Sequence, residues 1–250
     1  MAASGPPPAA LATTRTRRLF AARQEAPQST ANAIPDLRGV SLMSFRAAAT
    51  AALRDEEMRA GCPHLETNLG YAEQFASTFA GREAVLTADQ IAAINLYTQE
   101  VGFFRILNAR LRTSVVPFAF LPFIKLLLSA LYALPMEHKP VFRGVRLDLS
   151  ADFPQHKVVC WSTFTSTTGE VQVLQNDEYL GDTGARTMFY IISMSAVNIK
   201  PYSCFPDEIE HVLPPGCEFV VGSSGGTNPV MVHLTQRPYR RLELGLVSVE

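Results

Sequence analysis

Three stretches in the second half of this 250-residue chain put polar side chains where chemistry could be done. In VFRGV, residues 141–145, Arg143 is a cation inside an apolar run. Burying a guanidinium without an anion is very unfavourable, so Arg143 requires either an internal carboxylate or the phosphates of a ligand. Gly144 beside it leaves the backbone open to close approach. WSTFTSTTG, residues 161–169, is rich in hydroxyls directly after a β-like run, and these serve either turn backbone or a ligand. SCFPDEIEHVLPPG, residues 203–216, contains Glu208 and Glu210 two positions apart, a spacing that on a strand projects both to one face. Paired carboxylates repel unless solvent or a cation separates them, so the arrangement fits either an exposed sheet edge or a site that handles positive charge.

Other chemistries are poorly supported. Cys62, Cys160, Cys204 and Cys217 form no C-x-x-C pair and the five histidines no H-E-x-x-H, so no metal site is expected. Cys204 and Cys217 could cross-link neighbouring strands in an oxidising compartment, and packed thiols are the plainer expectation. GSSGGTNP, residues 222–229, reads as a hairpin loop, since it lacks the Lys-Ser/Thr and the helix of a phosphate loop. No G-x-G-x-x-G opens a helix after a strand, which argues against a Rossmann site.

The order of the three stretches is more specific than any one of them. Phe142-Arg143-Gly144-Val145, then Phe164-Thr165-Ser166-Thr167-Thr168, then Glu208-Ile209-Glu210-His211-Val212-Leu213-Pro214-Pro215 resembles the arginine-specific mono-ADP-ribosyltransferases of the R-S-E class. The helical words of that family, A-I-x-x-Y-T and N-x-x-L-R, are matched by Ala93-Ile94 with Tyr97-Thr98 and by Asn108 with Leu111-Arg112. The likeness runs roughly from Leu86 to Val221. It departs from the family at Thr168, where serine is usual, and at His211, where a small apolar residue is usual. A second Ser-Thr, Ser162-Thr163, offers another register, and Phe164 two positions before Ser166 favours the later one.

The resemblance implies an enzyme that takes NAD(P) as donor, releases nicotinamide and transfers ADP-ribose to arginine on an acceptor protein. It implies that Glu210 faces the positive charge developing on the ribose, where a fixed carboxylate is most effective. Glu208 would orient and deprotonate the acceptor guanidinium, a poor nucleophile at neutral pH. Arg143 would pair with the NAD pyrophosphate or the nearby ribose, and Ser166 would orient Glu210. Gly144 backbone groups, Thr167, Tyr179 as a stacking surface and Asn108 from the helical half complete the expected NAD contacts. Phe205 is the candidate for acceptor recognition, with a hydrophobic plug for its loop as the other reading. Two alternatives stay open: an NAD glycohydrolase with water as acceptor, and a non-catalytic NAD-binding module.

These residues need a scaffold, and the chain divides into the parts of one. From Val40 to Leu134 the pattern is helical. SLMSFRAAATAALRDEEMRA is Ala-rich with apolar residues at three- and four-residue spacing. In LTADQIAAINLYTQEVGFFRILNARLR, Thr87 stands three before Gln90 as a capping box. Ile91, Ile94, Tyr97, Phe104, Leu107 and Leu111 can line one buried face, and Gly102 allows a break. Ser114 to Leu134 is nearly long enough to span a bilayer, but Pro117, Pro122 and Lys125 favour a buried helix starting near Pro122. After Pro140 come short β-rich runs: VFRGVRL, KVVCWSTF, TMFYIISM, EHVLP, CEFVVG, PVMVHL and RLELGLVSV.

Helices first and strands later predict an α+β fold, and the resemblance makes it an N-terminal helical lobe packed on a β-sandwich NAD-binding core. The expected divisions are a disordered leader over 1–39, a helical lobe over 40–139 and a β-rich catalytic core over 140–250, with 40–250 as one domain. The leader is rich in Pro, Ala, Ser, Thr and Arg without the apolar stretch of a secretory signal; it faintly resembles a transit peptide but reads as an untranslocated tail. A cytoplasmic location is the default expectation. The composition, 47% hydrophobic and 18% charged, suffices for a full core. The net charge of -1 gives no electrostatic case for nucleic acid or anionic membrane, and it leaves room for a small anionic ligand.

Overall fold

The computed structural model describes residues 35–246 except 81–84, 100, 114, 176–179 and 182. Most of the expected leader, Tyr179 and the last residues of the final β-like run lie outside the described residues. Among those described, six helices precede the first strand: α1 (Phe45–Ala51), α2 (Glu56–Gly61), α3 (Leu65–Ser77), α4 (Ala88–Thr98), α5 (Gly102–Leu111) and α6 (Leu121–Ala133). The long Ala-rich segment is therefore two helices. Asp55 breaks it by turning extended and accepting a hydrogen bond from Met58 N, which starts α2.

The remaining helix boundaries follow local chemistry. Thr87 and Gln90 form both halves of the capping box that opens α4. Pro122 lies in the first turn of α6, where its missing N–H costs nothing. The helix after it is a buried core helix of 13 residues, and among the described residues no helix is long and apolar enough to cross a membrane. Its Lys125 is buried and donates from Nζ to the carbonyls of Leu37 and Val40, at 3.2 and 2.5 Å. The charge that argued against a span thus fastens the N-terminal segment to the lobe.

Seven strands follow: β1 (Met136–Val145), β2 (Val158–Trp161), β3 (Thr165–Thr168), β4 (Thr187–Asn198), β5 (Glu210–Leu213), β6 (Cys217–Gly225) and β7 (Val230–Gln236). A short helix, α7 (Val171–Gln175), lies between β3 and β4. The first strand begins at Met136, ahead of the expected run; the KVVCWSTF stretch supplies only β2, its last three residues leading to β3. RLELGLVSV forms no strand in its described part; Leu242 and Leu244 pack on the helical core instead, and Leu242 N donates to Tyr132 Oη.

All seven strands join in one sheet of order β1-β3-β5-β4-β7-β6-β2, and β1 also pairs with β4 along most of its length. The strands β1, β3, β5 and β4 therefore close a ring, from which β7, β6 and β2 extend on the far side of β4. The two layers of the expected sandwich are continuous through the long strand β4. One apolar core lies in the helical lobe and reaches Phe164, Val197, Ile199 and Val212 of the sheet. A second, around Trp161, Phe189 and Phe219, fills the sheet's own interior. Burial of aromatic side chains of this size stabilises each core by about 2 to 3 kcal/mol per residue.

Candidate active site

The ring brings three strands with polar residues side by side. Arg143 shares one face of β1 with the buried Val141 and Val145, so the pleat directs it inward. There Nη1 donates to the Ser166 carbonyl at 2.9 Å. That bond crosses from β1 to β3, and the β3–β5 ladder continues it with Ser166 opposite Val212 and Thr168 opposite Glu210. Directly paired residues share a face, so Ser166, Thr168 and Glu210 project together. Glu210 is wholly buried and Glu208 nearly so.

Glu208 stands outside the strand. β5 begins at Glu210, and Glu208 sits in a turn closed by its own N–H donating to Phe205 O at 3.1 Å. The Glu-x-Glu pair thus combines a carboxylate fixed by the sheet with one carried by the β4–β5 loop. Phe205, partly exposed, lies in that loop, and its N–H donates to Ser203 Oγ at 3.1 Å.

Three residues expected at the donor site have partners within the protein. Thr167 alternates away from Ser166, and its hydroxyl donates to the His211 carbonyl at 3.1 Å. Asn108 is buried, and its Nδ2 donates to the Phe164 carbonyl at 3.0 Å, where Tyr97 Oη also donates at 3.3 Å. Both side chains hold the turn that leads into Ser166. Gly144 is approached by Leu180: a Cβ at this position would lie 3.1 Å from Leu180 Cδ1 and 3.2 Å from its Cβ, so only a residue without a side chain admits that contact comfortably. Leu180 adjoins the undescribed Tyr179 and packs with Leu174, Phe142 and Met188.

A polar cluster that the sequence reading missed adjoins β5. His211 is fully buried, with Nε2 at 3.2 Å from Lys139 Nζ and 3.4 Å from Glu137 Oε2, and these two β1 side chains pair with each other at 3.1 Å. Burial holds the His211 imidazole below its ordinary pKa, reinforced by Lys139 and opposed by Glu137. For Glu137, burial acts upward, but the Lys139 hydrogen bond and His211 outweigh it and the carboxyl is held low. The alternation of Glu137 and Lys139 was the available signal, since residues two apart on a strand share a face.

Cys204 and Cys217 form no disulfide. Cys217 Sγ instead donates to Pro214 O at 3.1 Å, and burial pushes its thiol up to about 12. Among the described residues no group of three or more His, Cys, Asp or Glu side chains is placed to hold a metal ion. A groove lined by Tyr132, Arg241 and Leu242 lies between α6 and the C-terminal segment and contains none of the candidate site residues. The donor set at the ring, one inward guanidinium, a hydroxyl and two enclosed carboxylates, suits a ligand carrying both phosphate and hydroxyl groups.

Comparison with known proteins gives this arrangement a context. A family model described as NAD:arginine ADP-ribosyltransferase matches residues 23–238. The Mav protein of Mycobacterium avium (strain 104), named for NAD(+)–arginine ADP-ribosyltransferase activity, is 31% identical over 140 residues. That match takes in 55% of this chain but only 16% of Mav, so the chain corresponds to a small part of that relative's length. Among solved structures, the eukaryotic mono-ADP-ribosyltransferase ART2.2 superposes with a TM-score of 0.62 at 20% identity, covering 84% of this chain and 94% of its own. The type III effector XopAI of Xanthomonas axonopodis pv. citri gives a TM-score of 0.59 at 18% identity, covering 78% and 87%. At such identities these two establish a shared fold.

Proposed function

Because the chain belongs to the NAD:arginine ADP-ribosyltransferase family, we propose that it transfers ADP-ribose from NAD to arginine side chains of an acceptor protein. The observation that carries this reading is the convergence of Arg143, Ser166 and Glu210 on adjacent strands, with Glu208 two residues away in a separate loop. NAD, when bound, supplies the ADP-ribosyl group and a nicotinamide leaving group.

The chain's own residues have distinct tasks in this reading. Arg143, held against the β3 backbone, offers its cation to the pyrophosphate. Ser166 and Glu210 face the nicotinamide ribose together, the carboxylate accepting from its hydroxyls and opposing the positive charge that develops as the glycosidic bond breaks. The backbone of Gly144 lies beside the nicotinamide, under Leu180. Glu208 receives the guanidinium and accepts its proton, and Phe205 provides an apolar surface beside it. The apolar core continuous from the helical lobe onto the sheet supports treating 40–250 as one folding unit, with Asn108 acting from within the lobe.

Incubation with labelled NAD, with and without agmatine as a soluble guanidinium, tests the proposal. Label on agmatine is expected from the native chain. Glu210→Ala is expected to lose both transfer and NAD cleavage, and Glu208→Gln to lose transfer far more than cleavage. NAD loss without transfer would make the protein a glycohydrolase, no NAD loss would make it a binding module, and full activity in Glu210→Ala would remove the central assignment.

A further inference from the structure

The loop joining β4 to β5 carries both Phe205 and Glu208, yet its middle is fastened to the helical lobe. At the end of α4, Thr98 is fully buried and its hydroxyl has two bonds. It donates to Asn95 O at 2.7 Å and accepts from the Cys204 N–H at 3.0 Å. The Thr98 carbonyl, one of those a helix leaves unsatisfied at its C-terminus, accepts from Cys204 Sγ at 3.1 Å. One turn back, Asn95 Nδ2 donates to Tyr202 O at 3.3 Å.

The Asn95 amide is itself oriented. Gln99 Nε2 donates to Asn95 Oδ1 at 3.1 Å and to Asn68 O at 3.2 Å, while Asn68 Nδ2 donates back to Gln99 Oε1 at 2.9 Å. With Oδ1 engaged as an acceptor, the Asn95 NH2 is directed to the loop. From Cys204 the bonding continues along the loop, through Phe205 N to Ser203 Oγ and Glu208 N to Phe205 O. Glu210 is fixed separately, by the β3–β5 ladder.

We propose that Thr98 and Asn95 are positioning residues for the acceptor: by holding Tyr202 and Cys204 they set where Phe205 and Glu208 stand, and so determine whether ADP-ribose passes to a guanidinium or to water. The inference rests on the assignment of Glu208 to the acceptor. It follows from the division of supports, since a disturbance at Thr98 reaches the loop and leaves the strand of Glu210 in register. A role in stability alone would depress transfer and NAD cleavage together.

The test uses the full chain, labelled NAD and agmatine, and reads the ratio of ADP-ribosyl-agmatine formed to NAD hydrolysed. Thr98→Val keeps the shape and deletes both hydroxyl bonds, leaving the Cys204 N–H without its acceptor. It is expected to lower the ratio about tenfold and to raise KM for agmatine while KM for NAD holds. Thr98→Ser should restore the ratio. Cys204→Ala alters only the loop side; it is expected to lower the ratio about twofold and decides the matter if Thr98→Val does not fold. An unchanged ratio in Thr98→Val, or in Cys204→Ala where the former is unfolded, overturns the proposal, whether both activities persist or fall together. Glu208→Gln, measured in parallel, separates the two levels. If it lowers the ratio and Thr98→Val does not, only the anchor fails; if it leaves the ratio native, the role of Glu208 fails and the anchor with it.

Discussion

The Phe164 carbonyl, two residues before Ser166, accepts from Asn108 Nδ2 at 3.0 Å and from Tyr97 Oη at 3.3 Å, with all three residues buried. A carbonyl with two donors tolerates the loss of one. Tyr97→Phe is therefore expected to cost about 0.5 kcal/mol, the low end for a single hydrogen bond, given its length. Asn108→Leu removes the shorter bond, but it also removes Asn108 Oδ1, a buried acceptor with no hydrogen-bond partner, and the partial cancellation puts its cost at about 1 kcal/mol. The double variant strips the carbonyl of both donors. Leaving a buried acceptor unsatisfied costs about 1 to 3 kcal/mol, so the pair should couple by about 1 to 2 kcal/mol beyond the sum of the singles. Urea unfolding of the four proteins, with m-values compared to confirm a common denatured state, measures this cycle. Additivity within about 0.5 kcal/mol would refute the shared-acceptor reasoning. A large rise in KM for NAD in Asn108→Leu, with stability intact, would instead return Asn108 to direct contact with the dinucleotide.

Other consequences are equally direct. His211 is held below its ordinary pKa by burial, so between the folded and unfolded values the unfolded chain binds more protons; stability should fall as pH drops below about 6.5, by at most about 1.4 kcal/mol per unit, and level off below the folded pKa. His211→Leu should flatten that part of the stability profile, and an identical acid slope in native and variant proteins would contradict the burial of a neutral imidazole. Gly144→Ala places a methyl 3.1 to 3.2 Å from Leu180, and should raise KM for NAD with a stability loss of about 1 kcal/mol; unchanged kinetics would dissociate Gly144 from the donor site. With its thiol pushed up to about 12, Cys217 should resist a thiol reagent at pH 8 in the native protein and react on denaturation, whereas prompt native labelling would contradict its burial in the sheet interior.

What could be read from the residues alone was what they do locally. Thr87 with Gln90 marks a helix start because both halves of the capping box lie within one turn, and Pro122 does so for α6. Asp55, with its carboxylate on Met58 N, was a legible cap that the Ala-rich periodicity around it obscured. RLELGLVSV looked like a strand because alternation records one buried face without naming the neighbour, which here is the helical lobe. The division of Glu208 from Glu210 was hidden by their spacing, which suggests one strand face when the strand in fact begins at Glu210. Asn108 to Phe164 and Thr98 to Cys204 join residues 56 and 106 positions apart, and no local pattern encodes such pairs.

The ring of β1, β3, β5 and β4 is complete in sequence by Leu213, before β6 and β7 begin. A state in which the ring has closed and β7 has not docked would therefore join the strands that carry Arg143, Ser166 and Glu210 while the outer edge of β4, residues 187–192, lacks its parallel partner. That edge includes Phe189 and Ile191, both fully buried in the finished sheet, and an apolar strand with open hydrogen-bonding groups is a template for pairing with another chain. The hazardous state of this protein is thus one in which β7 is undocked while the ring holds, with the strands of the site together and their adhesive border uncovered.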